Sequence, residues 1–311
     1  MKLRQLRYFA KIVECGSFSR AAAEVHIAQP ALSQQVAELE QILGVTLLHR
    51  SVRGVRPTPA GQALYAETLE ILRHIERLPS IVKSAGGEAQ GSVKFGMAST
   101  LAAVFGGPFM DVVKQGLPKV VLRFVTQDSQ SLRAQIIEQR IDLALVFEYQ
   151  PVGGFVREPL FRQSLYLIQR KKTARTPPRV TLARLAALPL VLPGYPNQLR
   201  KVLDDAFVAA GVEPVTIAEA DVYSSVLSAV QSGIGDTVLP KGDFSDSPGN
   251  TNLVAIPIDP PIFLTAVLVR SRESTLTTPV DAVRQRLIAF AQDYLREHAV
   301  HGAEWIGTPE P

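Results

Sequence analysis

Apolar residues in the first 45 positions recur at helical spacing and predict three short helices. In the first helix, Leu6, Phe9 and Val13 share one face. The side chain of Ser19 is suited to cap the second helix, and the third helix begins at Gln29, where a proline follows in a position that helices tolerate. Helices of this length bury little surface alone, so we expect a further element to pack against them.

A short hairpin, or wing, is the element expected in residues 47–56. Two extended apolar pieces flank a turn at Gly54. Thr58 and Pro59 have the residue types of a helix cap and a first helical position, and they open a long helix. We expect that helix to kink or break at Pro79, because proline removes one backbone hydrogen bond.

The long helix carries apolar residues at alternating spacings of four and three, a heptad pattern that favours the pairing of two helices. The seam consists of Leu64, Thr68, Ile71, Ile75, Leu78, Val82 and Ala85. The residues that we assign to dimerisation are Leu64, Ile71, Ile75, Leu78 and Val82. Packing of this helix on its own domain is the alternative interpretation.

From residue 91 onward, apolar runs of strand length alternate with helical segments, which is typical of α/β domains. We expect mostly parallel sheets flanked by helices. About 200 residues are more than one small sheet requires. The pattern therefore favours two lobes joined by strands that cross near 161–164 and 265–268. Gly86 and Gly87 are the predicted hinge in front of these lobes.

Length and composition agree with a globular protein of several domains. The chain has 311 residues, which corresponds to two or three domains, and its apolar fraction of 46% excludes a disordered chain. The single cysteine, Cys15, excludes an internal disulfide, and charges interrupt the first twenty residues where a signal peptide is apolar. No apolar run approaches the length of a membrane span. We therefore expect a soluble protein of the reducing cytoplasm with no membrane partner.

The positive charge is concentrated at the amino-terminal end of the chain. The net charge is +4. Residues 1–58 contain eight Lys or Arg and four Glu, whereas the remaining 253 residues contain 25 basic and 25 acidic side chains. A basic end on a neutral body predicts that this end binds a polyanion and that the body has another role.

The third predicted helix has two contrasting faces. Its inward stripe consists of Leu32, Val36, Leu39 and Leu43, and its outer arc, which has no acidic residue, consists of Pro30, Ser33, Gln34, Ala37 and Gln41. Small and neutral side chains let a helix enter the major groove, where Ser33 and Gln34 can bond to base edges. A solvated face is the alternative. The residues that we predict to contact DNA are Gln29, Pro30, Ser33, Gln34 and Ala37.

The predicted wing carries three arginines, which are Arg50, Arg53 and Arg56. Guanidinium groups on a short hairpin can reach phosphates or enter a narrow minor groove. We assign all three to DNA binding, with a solvated surface charge as the alternative for each.

The segment from Leu3 to Thr58 resembles the winged helix-turn-helix of LysR-type transcriptional regulators. The motifs that carry the resemblance are Leu6-Arg7-Tyr8-Phe9, Gly16-Ser17-Phe18-Ser19-Arg20-Ala21-Ala22, Gln29-Pro30-Ala31-Leu32-Ser33, Leu39-Glu40, Leu43-Gly44, Leu47-Leu48, Arg50 and Thr58-Pro59-Ala60-Gly61. The run from His26 to Gln35, together with Arg53-Gly54-Val55, is similar to the nitrogen assimilation control subgroup of that family.

The resemblance implies an α/β fold class with three parts: an N-terminal winged helix-turn-helix, a long linker helix, and a C-terminal two-lobed effector domain resembling periplasmic binding proteins. The domains are then 1–58, the DNA-binding domain; 59–87, the dimerisation helix; 91–298, the effector domain; and 299–311, a weakly ordered tail. Lobe I comprises 91–162 and 268–298, and lobe II comprises 163–267. The implied partners are a double-stranded DNA operator, a small-molecule effector, RNA polymerase, and further copies of the chain in a homodimer or homotetramer.

A ligand site is expected beyond the carboxyl ends of the strands, where helix N-termini offer free amides. In LysR-type regulators, segments at such positions contact the inducer. The residues that we assign to effector binding are Ser99, Thr100, Gln127, Asp128, Ser129, Asn197, Arg200 and Tyr223. Several of them are equally suited to cap helices, which is the alternative reading. We expect a small polar effector, carboxylated or aromatic rather than cationic, although the charges of Asp128 and Glu148 argue against a dicarboxylate.

Catalysis has little support in the sequence. Phosphate-binding loops, nucleophile elbows and Cys-x-x-Cys pairs are absent, so we expect neither an enzyme nor a cofactor. His298 and His301 stand three residues apart in the tail without a third metal ligand, and we expect Cys15 to pack in the interior. Two other classes stay open as alternatives, a solute-binding protein and a non-specific architectural DNA-binding protein.

Overall fold

The computed structural model describes residues 1–51, 54–84, 88–171, 176–241, 252–274, 276–298, 300 and 302–307. The chain divides into two compact units, Met1–Val82 and Lys83–Pro311. The predictions that concern Arg53, Ala85, the Gly86 and Gly87 hinge, and His301 lie outside the described residues. None of the helices within the described ranges is long and apolar enough to cross a membrane.

The first unit contains four helices and a two-stranded hairpin. In chain order these are α1 (Leu3–Cys15), α2 (Phe18–Glu24), α3 (Gln29–Leu43), β1 (Leu48–Ser51), β2 (Gly54–Pro57) and α4 (Pro59–Ser84). The predicted cap at Ser19 is wrong, because the side chain of Ser17 accepts the backbone N–H of Arg20 and the helix already begins at Phe18. Leu32, Val36 and Leu39 are buried as predicted, but Leu43 at the end of α3 is 39% exposed.

Backbone contacts hold the wing against the helices. The N–H of Val55 donates to the carbonyl of Gly16 at 2.9 Å. Gly54 has a φ of +114°, and a Cβ at this position would lie 2.8 Å from the same carbonyl oxygen, so only glycine fits without strain. On the other strand, the Glu40 carboxylate accepts the backbone N–H of Leu47 at 2.7 Å. The wing therefore has a fixed position beside α1 and α3.

The linker helix α4 begins as predicted and is continuous through the position of the predicted break. The hydroxyl of Thr58 caps it by accepting the N–H of Gly61 at 3.0 Å. The predicted break at Pro79 is wrong, because the helix runs through this residue to Ser84. Leu64 packs on the core of the first unit and Thr68 is fully buried, so the amino-terminal end of the seam is occupied within the chain.

In the described part of the second unit, eleven strands lie between residues 91 and 305, with helices between them. Its first half consists of β3 (Gly91–Ala98), α5 (Ser99–Leu101), a π-helical segment (Ala102–Gly106), α6 (Gly107–Gly116), β4 (Val120–Gln127), α7 (Ser129–Ile137), β5 (Leu143–Glu148) and β6 (Phe155–Arg170). Its second half consists of β7 (Val180–Thr181), α8 (Leu182–Ala186), β8 (Leu190–Leu192), α9 (Gln198–Ala209), β9 (Thr216–Glu219), α10 (Tyr223–Gln231), β10 (Thr237–Pro240), β11 (Leu253–Asp259), β12 (Phe263–Ser271), α11 (Thr278–Glu297) and β13 (Ala303–Trp305).

The sheets are mixed, so the expectation of mostly parallel sheets is wrong. Strand β3 pairs in parallel with β4 and β5, and β8 pairs in parallel with β9. The strands β10, β11, β12 and β13 all pair antiparallel with β6. The reason is that β6 is sixteen residues long and serves as a common partner for strands that return in the opposite direction.

The long strand β6 connects two lobes. Its first part, up to Ser164, pairs with β12 in lobe I, and its second part, from Leu165, pairs with β10 and β11 in lobe II. The chain returns to lobe I at residues 260–262, earlier than the predicted crossing at 265–268. Strand β12 lies wholly in lobe I, because from Thr265 to Val269 it also pairs with β5. The predicted lobe boundary at 267 is therefore a few residues too late.

The C-terminal residues belong to the sheet, so the prediction of a weakly ordered tail from residue 299 is wrong for the part that the structure describes. Trp305 pairs with Phe161 of β6 and packs on the main core. Phe105, Phe109 and Phe290 form an aromatic cluster in that core, with Phe105 and Phe290 meeting edge to face at 6.3 Å. This core fixes α11 to the first strands of lobe I.

Candidate functional site

The outer arc of α3 is a surface of small and neutral side chains. Leu32, Val36 and Leu39 are fully buried on the opposite side, which turns this arc outward. Its exposed members are Gln29, Pro30, Gln34, Ala37 and Gln41, and Ser33 is half-buried. A helix with such a face can approach the edges of base pairs closely.

An acidic residue, Glu38, borders this arc without belonging to it. The Glu38 carboxylate accepts the side-chain amides of Gln34, Gln35 and Gln5, each at 3.2 Å. Gln5 belongs to α1 and is buried, so Glu38 also connects α3 to α1. The four-residue spacing of Gln34 and Glu38 is a signal that the sequence already contained, since such residues are neighbours on a helix.

Arg50 connects the wing to two helices. Its Nη1 donates to the hydroxyl of Ser33 at 3.1 Å, and its guanidinium lies over the ring of Phe18, 4.5 Å from the ring centre. The structure thus brings two of the predicted DNA-contacting residues, Arg50 and Ser33, together. Arg56 is exposed on the neighbouring strand, and Arg53 lies outside the described residues.

The predicted dimerisation seam has two different parts. Ile71, Leu78 and Val82 are exposed by 40%, 53% and 71% of their surface, and Ile75 is half-buried. Leu64, in contrast, packs on the core of the first unit, which removes it from the set available to a second chain. The carboxyl-terminal part of α4 thus has an exposed apolar stripe.

A cleft between the two lobes contains most of the predicted effector residues. The cleft spans about 630 Å³, a volume that includes space open to solvent. The predicted residues that line it are Ser99, Thr100, Asp128, Ser129, Asn197 and Tyr223. The lining residues that sequence reasoning missed include Gln130, Phe147, Gln198, Leu239 and Leu264, and Asp221 also lines the cleft. Phe147 and Leu264 lie within apolar runs, so their residue types resemble those of any core residue.

Some of the polar side chains in the cleft cap helices, and others do not. Asn197 caps α9 by accepting the N–H of Leu199 at 2.9 Å, and Asp128 rather than Ser129 caps α7. The Ser129 hydroxyl instead accepts the N–H of Phe147 at 3.0 Å. For Ser99 and Thr100 the capping alternative is wrong, because α5 has no side-chain cap. The hydroxyls of these two residues are therefore free of a capping role beside the cleft.

Two of the predicted effector residues do not line the cleft. The side-chain oxygen of Gln127 accepts the amide of Gln135 on the exposed face of lobe I. Arg200 donates to Asp204 at 3.0 Å and to Glu219 at 2.8 Å. Its guanidinium also donates to the carbonyl of Pro193. Arg200 is thus held by acidic partners on its own lobe, which removes it as the partner of a ligand carboxylate.

Glu148 is buried behind the cleft wall in an ion-pair network. Its carboxylate accepts from the guanidinium groups of Arg133, at 3.4 Å, and Arg157. It also accepts the N–H of Val152 at 3.0 Å. Burial lowers the pKa of the Arg133 guanidinium, and the adjacent carboxylate opposes this effect. Because Arg133 and Arg157 both pair with Glu148, its negative charge is more than balanced inside the wall and does not influence the choice of ligand as we expected.

Tyr223 supplies an aromatic ring and a phenol to the cleft. Burial raises the pKa of this phenol to about 12, so the group is neutral at physiological pH. Behind it, Val226 and Leu239 add apolar surface to the same wall. One side of the cleft is therefore apolar and aromatic.

Comparisons with known proteins agree on one family. A family model described as a bacterial regulatory helix-turn-helix protein of the lysR family matches residues 3–62, and a model of the LysR substrate binding domain matches residues 86–292. The chain is 34% identical over 292 residues to the nitrogen assimilation regulatory protein nac of Klebsiella aerogenes, which covers 93% of this chain and 95% of that protein.

Solved structures share the fold over nearly the whole chain. Full-length CbnR complexed with its target DNA aligns with a TM-score of 0.69 at 19% identity, over 94% of this chain and 99% of that chain. A full-length OxyR variant from Pseudomonas aeruginosa aligns with a TM-score of 0.66 at 22% identity, over 93% of this chain and 97% of that chain.

Proposed function

This chain belongs to the LysR family of DNA-binding transcriptional regulators, and from that premise we propose which of its residues read DNA and which bind its effector. The family consists of regulators and not of enzymes, and its members combine a helix-turn-helix domain with an effector-binding domain, as this chain does. This excludes the two alternatives that the sequence left open, a solute-binding protein and an architectural DNA-binding protein.

We assign base reading to the outer arc of α3. Gln34 and Ser33 bond to base edges in the major groove, and Gln29, Pro30 and Ala37 make close contacts beside them. The wing arginines Arg50, Arg53 and Arg56 bind the backbone or a narrow minor groove. The support for this assignment is the exposure of a neutral face next to a basic hairpin.

The effector binds in the cleft between the lobes. The observation that carries this proposal is that polar side chains from both lobes line the same cleft, Ser99, Thr100 and Ser129 from lobe I, and Asn197 and Tyr223 from lobe II. A ligand that contacts both walls binds the closed arrangement of the lobes better than the open one, and so shifts the population toward it.

Lobe closure is then transmitted to DNA through an assembly of several chains. The exposed stripe of Ile71, Leu78 and Val82 supports pairing of α4 with the same helix of a second copy, in a homodimer or homotetramer. Two recognition helices would read two half-sites, whose spacing changes with the geometry of the dimer. We place this regulator in the cytoplasm, where the altered complex acts on RNA polymerase at the promoter.

The test of the cleft is a pair of threonine variants. Thr100→Val keeps the shape of the side chain but deletes a hydroxyl in the cleft, whereas Thr126→Val makes the same change on the exposed end of β4, outside the cleft. Thermal-shift screening of a metabolite panel, followed by calorimetry, should find a compound that Thr100→Val binds more weakly by about 0.5–1.5 kcal/mol. Thr126→Val should bind it like the wild type. Equal binding by all three proteins would show that the effector binds elsewhere.

A further inference from the structure

The cleft has a charge of one sign on both of its walls. Among the lining residues that the structure describes, the charged side chains are Asp128 and Asp221, and no lysine, arginine or histidine accompanies them. Asp128 lies between β4 and α7 in lobe I, whereas Asp221 lies between β9 and α10 in lobe II. Each lobe therefore contributes one carboxylate to the space between them.

Each carboxylate is oriented by the backbone through one of its oxygens. Oδ1 of Asp128 accepts the N–H groups of Gln130 and Ser131, both at 2.9 Å. Oδ1 of Asp221 accepts the N–H of Gly194 at 2.9 Å. Within the described part of the chain, neither Oδ2 atom has a hydrogen-bond partner. One oxygen of each aspartate is thus available to a ligand.

The nearby cations pair with other carboxylates and do not line the cleft. Arg200, at the base of lobe II, is shared by Asp204 and Glu219. Arg133 and Arg157 are bound to Glu148 behind the wall of lobe I. A ligand carboxylate in the cleft would therefore meet two carboxylates and no cationic side chain of the described residues, which is unfavourable at short range.

The remaining surface of the cleft suits an apolar body next to a cation. Phe147 and Leu264 line lobe I, and Tyr223, Val226 and Leu239 line lobe II. Aromatic rings attract cations through their electron-rich faces, and they also bury the apolar part of a ligand. Carboxylates combined with aromatic rings are thus a suitable environment for an organic amine.

We propose that the effector carries a protonated amine or a guanidinium group that bonds to Asp128 and Asp221 together, and an apolar body that packs on the aromatic wall. This inference rests on the proposed effector role of the cleft, and it replaces our expectation of a carboxylated ligand. In the empty cleft the two like charges oppose closure of the lobes. A cation between them removes this opposition, so the charge of the effector itself couples binding to closure.

The test uses three compounds that differ in one terminal group: phenethylamine, which is cationic, 2-phenylethanol, which is neutral, and 3-phenylpropionate, which is anionic. Calorimetry with the full chain at low ionic strength should give the tightest binding for the amine and the weakest for the acid. Asp128→Asn and Asp221→Asn should each weaken amine binding by at least about tenfold, because each removes a charge-assisted hydrogen bond. Asparagine keeps the cap of α7, so the fold is retained.

Asp111→Asn is the matched control, because this exposed carboxylate on α6 lies outside the cleft, and its amine binding should equal that of the wild type. Tighter binding of the acid than of the amine would overturn the charge preference. If Thr100→Val then weakened binding of the acid, the cleft would still be the effector site. Amine binding that both Asn variants leave unchanged would overturn the inference, as would a failure of the wild type to bind the amine.

Discussion

The side-chain amide of Gln34 donates to the carboxylate of Glu38 at 3.2 Å, one turn further along α3. The residue that we propose to read bases is thus oriented by an acidic neighbour. The NH2 group has a second N–H, so Gln34 still presents both a donor and its carbonyl oxygen to DNA, the pair of groups that recognises adenine.

Gln34→Ala should therefore relax the sequence preference of the regulator. Loss of one specific base contact costs about 1–3 kcal/mol of discrimination between the operator and a variant site. Binding to random DNA should change little, because backbone contacts supply it. The measurement is a fluorescence anisotropy titration with operator, variant operators and random duplexes at a fixed salt concentration.

Gln41→Ala is the matched control for this experiment. Gln41 is an exposed glutamine on the same arc, but it lies near the carboxyl end of α3, and helix N-termini usually make the base contacts. We expect this variant to discriminate like the wild type. The same loss of discrimination in both variants, or in neither, would remove Gln34 from the reading surface.

If the exposed stripe of α4 pairs two chains, charged substitutions in this stripe should disrupt the oligomer. Ile71→Lys combined with Ile75→Lys would place two ammonium groups in an apolar helix pair, so the assembly should dissociate or become smaller. Operator affinity should fall as well, because two half-sites are no longer bound together. Multi-angle light scattering at several protein concentrations measures the first effect.

The control places the same two charges on the opposite face of the same helix, as Gln62→Lys with Ala66→Lys. Both of these residues are exposed. The control should keep the size of the wild-type assembly. An unchanged assembly in the Ile71 and Ile75 variant would show that α4 does not hold the chains together.

Thr68 is fully buried in α4, and its hydroxyl has no hydrogen-bond partner among the residues that the structure describes. Thr68→Val keeps the branched shape and removes the unsatisfied polar atom, so the free energy of unfolding should rise by about 1 kcal/mol. Thr58→Val should act in the opposite direction, with a loss of about 0.5–2 kcal/mol, because it removes the cap of the same helix. Urea denaturation at one protein concentration compares the three proteins. A destabilised Thr68→Val variant would mean that the hydroxyl has a partner in solution.

The buried network around Glu148 predicts a large loss of stability on neutralisation. Glu148→Gln leaves the Arg133 guanidinium buried without its counter-charge, which should lower the free energy of unfolding by about 3–5 kcal/mol. Glu304→Gln is the control, since Glu304 pairs with Arg162 at the surface, where an ion pair contributes at most about 1 kcal/mol. Thermal unfolding followed by circular dichroism measures the stability of both variants. An equal loss of stability in Glu148→Gln and Glu304→Gln would contradict this prediction.

The buried phenol of Tyr223 should ionise at a higher pH than an ordinary tyrosine in an alkaline titration. Burial disfavours the phenolate and raises the pKa from 10.0 to about 12. The folded pKa lies above the unfolded one, so the associated stabilisation is complete below pH 10 and is lost as the pH rises toward 12. The difference in phenolate absorbance between the wild type and Tyr223→Phe should show this ionisation at high pH. A component near the ordinary tyrosine pKa would place the ring in solvent.

The local patterns of the sequence predicted most helices and strands, because their periodicity is a property of neighbouring residues. The pairing of strands was predicted less well. Strand β6 begins at residue 155 and its partner β12 ends at residue 271, so no local pattern contains their antiparallel register. The same limit applies to the strand β13, whose three residues are too few to show an alternation.

The candidate site was predicted from strand ends, and this rule located the cleft. The same rule did not predict which charged side chains are available to a ligand, because the partner of a charged side chain is often distant in sequence. We assigned Arg200 to effector binding, but its guanidinium pairs with Glu219, which lies nineteen residues further along the sequence. The charge of Asp221 was not considered, for the related reason that its effect depends on the opposite wall of the cleft, which carries Asp128.

The uninterrupted strand β6 has a consequence for how the effector domain moves. Its partner strands change between Ser164 and Leu165, and the return crossing at residues 260–262 lies beside this point, where the N–H of Leu165 donates to the carbonyl of Ile262 at 2.8 Å. The two crossings are therefore hydrogen-bonded to each other, so a change in the angle between the lobes must bend or twist both of them together. Lobe II is inserted between two segments of lobe I, so a cut at one crossing leaves the two lobes joined through the other.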